Sequence, residues 1–215
     1  MGCTNASQFI CNLSPCLVNH SYSYSLMKKY FLIGDSIRLG YQGTVKEELQ
    51  DVAELWSPDI NGGSSEKLKA NLESWIFEHP ADLIHINCGL HDLRKEFDCP
   101  DSSVSLAQYG ENLRWIFDLL STKTAAKIIW ANTTPVNQEW HHQNKGFDRF
   151  LDDVIAYNTL AGTVAAEFNI EVNPLYSVVE SAGRDNILLP DGVHYTPEGY
   201  EYLGKHVAAF IRERL

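Results

Sequence analysis

Short apolar runs alternate along this chain with longer stretches in which apolar residues return every three or four positions. Lys29 to Ile33, Val52 to Trp56, Leu83 to Cys88, Lys127 to Ala131 and Ile170 to Val172 are runs of three to six residues, bounded by Gly, Pro, Asn or Asp. Runs of that length and bounding predict buried strands. Between them lie helical stripes. One helix runs from Ile37 to about Leu49, and a second carries Leu68, Leu72, Trp75 and Ile76 behind an N-cap at Ser64 or Ser65. Tyr109, Leu113, Ile116, Phe117 and Leu120 mark a third. Phe150, Val154, Tyr157, Leu160, Val164 and Phe168 mark a helix over about 147–168. The last helix opens on Thr196-Pro197-Glu198, a hydroxyl cap followed by proline and an acid in the first turn, and its stripe is Tyr200, Leu203, Val207, Phe210 and Ile211. Residues 89–104 and 132–146 read as long loops. Five strands alternating with helices predict an α/β domain whose parallel sheet is covered on both faces.

Composition narrows the function classes. The 215 residues, 44% of them hydrophobic, suffice for one domain with a sizeable core. There are 28 acidic residues against 17 Lys+Arg, a formal net charge of -11 with no basic cluster, which argues against nucleic acid and anionic membranes as partners. No apolar run approaches the roughly 20 residues of a membrane span. Residues 1–26 are rich in Ser, Asn and Cys and hold no Lys or Arg, so they lack the basic start of a secretory signal. They are expected to form a poorly ordered extension, with the folded body over 27–215; the alternative is a wrap using Phe9, Ile10, Leu17 and Val18. Three of the five cysteines lie in that stretch and none forms a CxxC pair, so a reduced, cytoplasmic chain is the expectation.

Candidate chemistry gathers where strands end, because ligands of parallel sheets bind outside the carboxyl edge. In FLIGDSIRLG, residues 31–40, Ser36 stands at a strand-to-helix junction, beside the free N–H groups of a helix start. Such donors can hold the oxyanion that forms when a hydroxyl attacks a carbonyl. Asp191 and His194, on one loop before the last helix, are spaced so that a carboxylate can orient an imidazole acting as base. Gly62 and Gly63 follow the second strand, where glycine lets backbone N–H groups approach a ligand. Gly89-Leu90-His91-Asp92 follow the third.

Taken together, these four places resemble the blocks of the SGNH hydrolases, the GDSL esterase family. GDS matches Gly34-Asp35-Ser36, the glycine block matches the Gly62-Gly63 stretch, and DxxH matches Asp191 and His194. The third block, normally GxND, reads GLHD here, with His91 in place of asparagine. The resemblance spans 27–215 and implies a three-layer α/β/α flavodoxin-like domain with a five-stranded parallel sheet. It implies a serine hydrolase that needs no cofactor, with Ser36 as nucleophile, His194 as base and Asp191 as its orienter. The oxyanion donors would be the N–H groups of Ser36 and Gly63 and the ring of His91, which otherwise faces substrate; Asp35 and Trp140 are placed beside the substrate. The GxSxG elbow of α/β-hydrolases does not fit, since Arg38 occupies its second glycine position. His141-His142 are adjacent and lack a third ligand, so no metal is expected. A water-soluble short-chain ester, such as an O-acetyl carbohydrate, is the expected substrate. Thioesterase or lysophospholipase, acyltransferase and non-catalytic binding module are the alternatives. Neither natural substrate nor oligomeric state is readable.

Overall fold

Strand β1 (Lys28–Ile33) turns from exposed lysines to four consecutive buried residues, Tyr30 to Ile33, as a strand covered on both faces must. Each buried Leu- or Ile-sized side chain stabilises the fold by about 1.5–3 kcal/mol. The computed structural model describes residues 1–2 and 27–215; the expectations for the N-terminal extension lie outside them. After β1 come α1 (Ser36–Leu49), β2 (Ala53–Trp56), α2 (Ser65–Glu78), β3 (Leu83–Ile86), α3 (Leu106–Lys123) and β4 (Lys127–Ala131). Then follow α4 (Gln138–Asn144), α5 (Leu151–Glu167), β5 (Glu171–Asn173), α6 (Leu175–Ser181), α7 (Arg184–Ile187) and α8 (Pro197–Arg212). All five strands are parallel, in the order β2-β1-β3-β4-β5. The three-layer, flavodoxin-like expectation holds.

The order matters because the chain leaves β1 for the edge and returns on its other side. Tyr30 pairs with Leu55 of β2 and with Leu83 of β3. The loops after β1 and β3 therefore diverge at the carboxyl edge and leave a crevice between them. Helices α1 and α8 close one side of it and run parallel. Near their starts, a side chain at Gly40 would strike the Tyr200 ring; further along, one at Gly204 would meet Thr44 Cβ at 2.5 Å and the Tyr41 carbonyl at 3.0 Å. At their ends, Arg212 grips Asp51 and the Glu48 carbonyl. A buried strut ties α8 to the sheet: Asn173 of β5 bonds His85 of β3 at 3.1 Å and His206 of α8 at 3.0 Å. Burial holds the His85 ring neutral, lowering its pKa to about 3.

Two expectations about loops need correction. Residues 132–146 contain a short helix, α4, capped by Asn137, whose side chain accepts the Trp140 N–H at 3.1 Å. Its seven residues are too few for an apolar stripe. The helix expected from 147 begins at Leu151, because residues 147–150 are drawn straight: Asp148 and Lys95 exchange backbone hydrogen bonds at 2.7 and 3.0 Å.

Candidate active site

The turn that presents Ser36 is held from four sides. The Gly34 carbonyl accepts the Gly62 N–H at 2.9 Å and Arg38 Nη2 at 3.2 Å, and a side chain at Gly62 would come within 2.7 Å of that carbonyl. Asp35 caps α1, its Oδ1 accepting the Ile37 N–H at 2.9 Å. This corrects its placement beside the substrate: Asp35 is 1% exposed, with Oδ1 spent on the cap and Oδ2 buried without a partner, and its charge acts on His91 and Arg149. Arg38, wholly buried, donates to Gln42, Ser57 and the carbonyls of Gly34, Pro58 and Ile60. It locks the loop after β2 against the serine turn. Sequence reading used Arg38 only to exclude another fold and missed this role.

Ser36 and His194, 158 residues apart, meet. His194 Nε2 lies 2.9 Å from Ser36 Oγ, and its Nδ1 lies 2.6 Å from Asp191 Oδ2. The other oxygen of Asp191 accepts the N–H groups of Val193 and His194 at 3.1 and 2.9 Å. Gly192 makes the tight turn at φ 71°, where a side chain would run into the Asn137 carbonyl. Burial works to raise the Asp191 pKa, but hydrogen bonds from the His194 ring and backbone, Lys145 and Val193 outweigh it and hold the carboxyl well below the usual range. Lys145 Nζ stands 3.0 Å from Asp191 Oδ2, the oxygen that also faces His194. No sequence signal pointed to Lys145.

On the far side of the crevice, His91 and Gly63 face the same open groove, along with Asn61, Ser64, Glu66, Lys67, Arg94, Ser103 and Val104. Ser36 begins α1, so its N–H has no helical acceptor four residues back. Gly63 takes the left-handed φ of 68° expected of a glycine, but its N–H is already engaged by Asn61 Oδ1 at 2.8 Å. It reaches an oxyanion only by exchanging that partner. Burial lowers the His91 pKa, and Arg149, Lys67 and Arg94 lower it further against the pull of Asp35. The ring is then neutral, with one N–H to donate. Asp92 points the other way. It accepts the Ser65 N–H at 2.9 Å and the Ser65 hydroxyl, fastening the third block to the start of α2.

The two histidines of α4 serve different neighbours. His141 Nδ1 contacts the Asp191 carbonyl oxygen at 2.9 Å and its Nε2 faces Arg149 Nη1 at 3.4 Å, while His142 bonds Asp148. Among the described residues, no group of three or more His, Cys, Asp or Glu is placed to hold a metal ion. Trp140 is half-buried and lines a shallow surface groove with Gln143, Asn144, Leu188 and Pro190, next to the Asp191 loop. No helix among the described residues is long and apolar enough to cross a membrane.

No protein-family model and no curated protein matches the chain in sequence. Solved structures do match it in three dimensions. A lipase/acylhydrolase from Enterococcus faecalis superposes with a TM-score of 0.75, covering 88% of this chain and 97% of that one at 23% identity. The chain has its fold. An acetyl xylan esterase gives 0.68 over 85% and 99% of the two chains at 17% identity. An acetyl-xylooligosaccharide esterase from a Geobacillus gives 0.66 over 86% and 93% at 22%. The architecture is thus one shared with GDSL-like hydrolases, with the candidate triad at the strand edge where such sheets bind ligands.

Proposed function

We propose that the chain is a serine esterase of the SGNH type, acting on short acyl esters through an acyl-enzyme on Ser36. The observation that carries the proposal is the relay Ser36 Oγ to His194 Nε2, and His194 Nδ1 to Asp191, at 2.9 and 2.6 Å. As Oγ attacks the ester carbonyl, its proton passes to Nε2 and the carbonyl π pair moves onto oxygen. The Ser36 N–H and the neutral His91 ring are the donors proposed for that charge. Collapse expels the alcohol, which leaves with the proton from His194. A water then gives a proton to His194 and its oxygen to the acyl carbon, and Ser36 Oγ departs with the proton returned. Asp191 keeps the ring in the tautomer that presents a bare Nε2 to the serine and stabilises the imidazolium.

A short acyl group, such as acetyl, is favoured by analogy with two of the solved structures that share this fold. Two of the structural relatives described above are acetyl-ester hydrolases of xylan-type carbohydrates. Trp140 offers a flat apolar face beside the Asp191 loop on which a sugar ring can stack. A fluorophosphonate probe is expected to label Ser36 in the folded protein, and p-nitrophenyl acetate to be cleaved faster than the octanoate. Ser36→Ala and His194→Ala should each abolish both signals. A folded wild-type protein that takes no label overturns the esterase reading, and an octanoate cleaved as fast as acetate overturns the short acyl group.

A further inference from the structure

Cations are distributed unevenly around the candidate site. Every arginine among the described residues pairs with a carboxylate except Arg38 and Arg149, and both of these are buried. Arg38 makes five hydrogen bonds from Nη1 and Nη2, leaving only its buried Nε without a partner, and is structural. Arg149, 6% exposed, donates only from Nε to the Leu90 carbonyl at 2.6 Å and from Nη1 toward His141 at 3.4 Å, so its Nη2 has no partner among the described residues. Its guanidinium shares the Phe147 ring with that of Arg94, the two standing 4.9 and 3.9 Å from the ring centre. Burial pulls the Arg149 pKa down to about 10, with Arg94 adding to it and Asp35 and Asp191 opposing. In the groove itself, the ammonium of Lys67 meets only the Asn61 carbonyl oxygen, at 2.8 Å. Arg94 keeps one arm on Glu96, at 2.6 Å, while its Nε has no partner. Glu66 also lines the groove. In a chain of net charge -11, the groove is lined by two cations with spare donors, Lys67 and Arg94, against the single carboxylate of Glu66, while the buried Asp35 acts on His91 and Arg149 from behind.

We propose that this groove receives an anionic group on the alcohol portion of the ester, a carboxylate held by Lys67 and Arg94 with the buried Arg149 behind them. The inference rests on the esterase reading, but its test does not need turnover. Two charges of like sign crowded on Phe147, and a lysine with a neutral partner, gain from an anion what they lack within the chain. The selectivity is local, because the field of the whole molecule repels anions.

Binding is measured by calorimetry on the Ser36→Ala protein with 4-acetoxybenzoate and with its methyl ester, which differ by the one charge. The carboxylate is expected to bind at least about tenfold tighter at low salt, the scale of one charge-assisted hydrogen bond. That ratio should shrink toward one in 0.5 M salt and in Lys67→Gln or Arg94→Gln added to Ser36→Ala. It should persist in Lys123→Gln, a change of equal charge at the exposed end of α3. Lys67 is exposed on α2, so its variant folds whatever becomes of Arg94. Equal affinities for the two ligands, or a ratio untouched by both groove variants, overturn the proposal. Wild-type protein that cleaves neither 4-acetoxybenzoate nor p-nitrophenyl acetate would overturn the esterase reading, while the binding ratio still decides the groove.

Discussion

His91 stands where the resemblance to a GxND block would put asparagine, and its chemistry shows what that change would demand. An asparagine amide donates without regard to pH, whereas an imidazole donates a single N–H when neutral and must hold the right tautomer to aim it. Burial and three nearby cations keep the ring neutral. With the Gly63 N–H occupied by Asn61, the proposed oxyanion site would depend on His91 more heavily than a three-donor site does. His91→Ala is therefore expected to lower kcat for p-nitrophenyl acetate by about 10² to 10³, the usual cost of one oxyanion donor. His91→Asn should recover most of it. Unchanged turnover in the alanine variant would place His91 outside the oxyanion site. Which side chains meet was partly legible in the sequence: Ser36, Asp191 and His194 stand in short patterns tied to strand ends and helix starts. Arg38, Lys145 and Arg149 were not, since nothing local distinguishes a buried arginine, or a lysine on a distant carboxylate, from a solvated one.

At the scale of elements, two junctions govern the site. The first is the parallel packing of α1 on α8, which delivers the serine and the histidine to the same edge. Gly204 permits that approach, because the atoms a side chain would meet include the Tyr41 carbonyl oxygen, which cannot swing aside. Gly204→Ala is expected to cost about 1–3 kcal/mol, as overpacking does, and to lower both the melting temperature and the rate of phosphonate labelling. A variant as stable and as reactive as wild type would show that the helices part at no cost. The second junction is Asp92 against the start of α2. Burial raises its carboxyl to about 7, opposed by hydrogen bonds from Ser65 and assisted by Asp35, whereas the unfolded value is about 3.9. Between these limits the folded chain holds a proton that the unfolded chain has lost, so this contribution to stability declines as pH rises from about 4 to about 7. The difference in melting temperature between wild type and Asp92→Asn should therefore fall between pH 4.5 and pH 8. A constant difference would mean that the carboxyl titrates alike in both states. Asp191, with its pKa depressed, acts in the opposite sense and only as pH falls below the ordinary carboxylate range, so the two windows separate. Strand and long-helix positions were readable because their periods are sustained over several residues. The short α4, α6 and α7 were not, since one or two turns carry no period and their caps resemble loop chemistry.

For the molecule as a whole, the sheet order follows from alternation only as far as parallel pairing. Which strands are neighbours depends on crossovers that no local pattern records. The crevice between β1 and β3 nevertheless falls where parallel sheets place ligands, and the candidate site beside it draws on stretches of chain far apart in sequence. The parallel clamp of α1 on α8 also sets how the site can assemble. Ser36 opens the first helix, whereas His194 stands on the loop ahead of α8, 158 residues further along. Until α8 docks on α1, the hydroxyl and the imidazole have nothing to hold them together, so the candidate relay is completed by the same long-range packing that closes the tertiary structure.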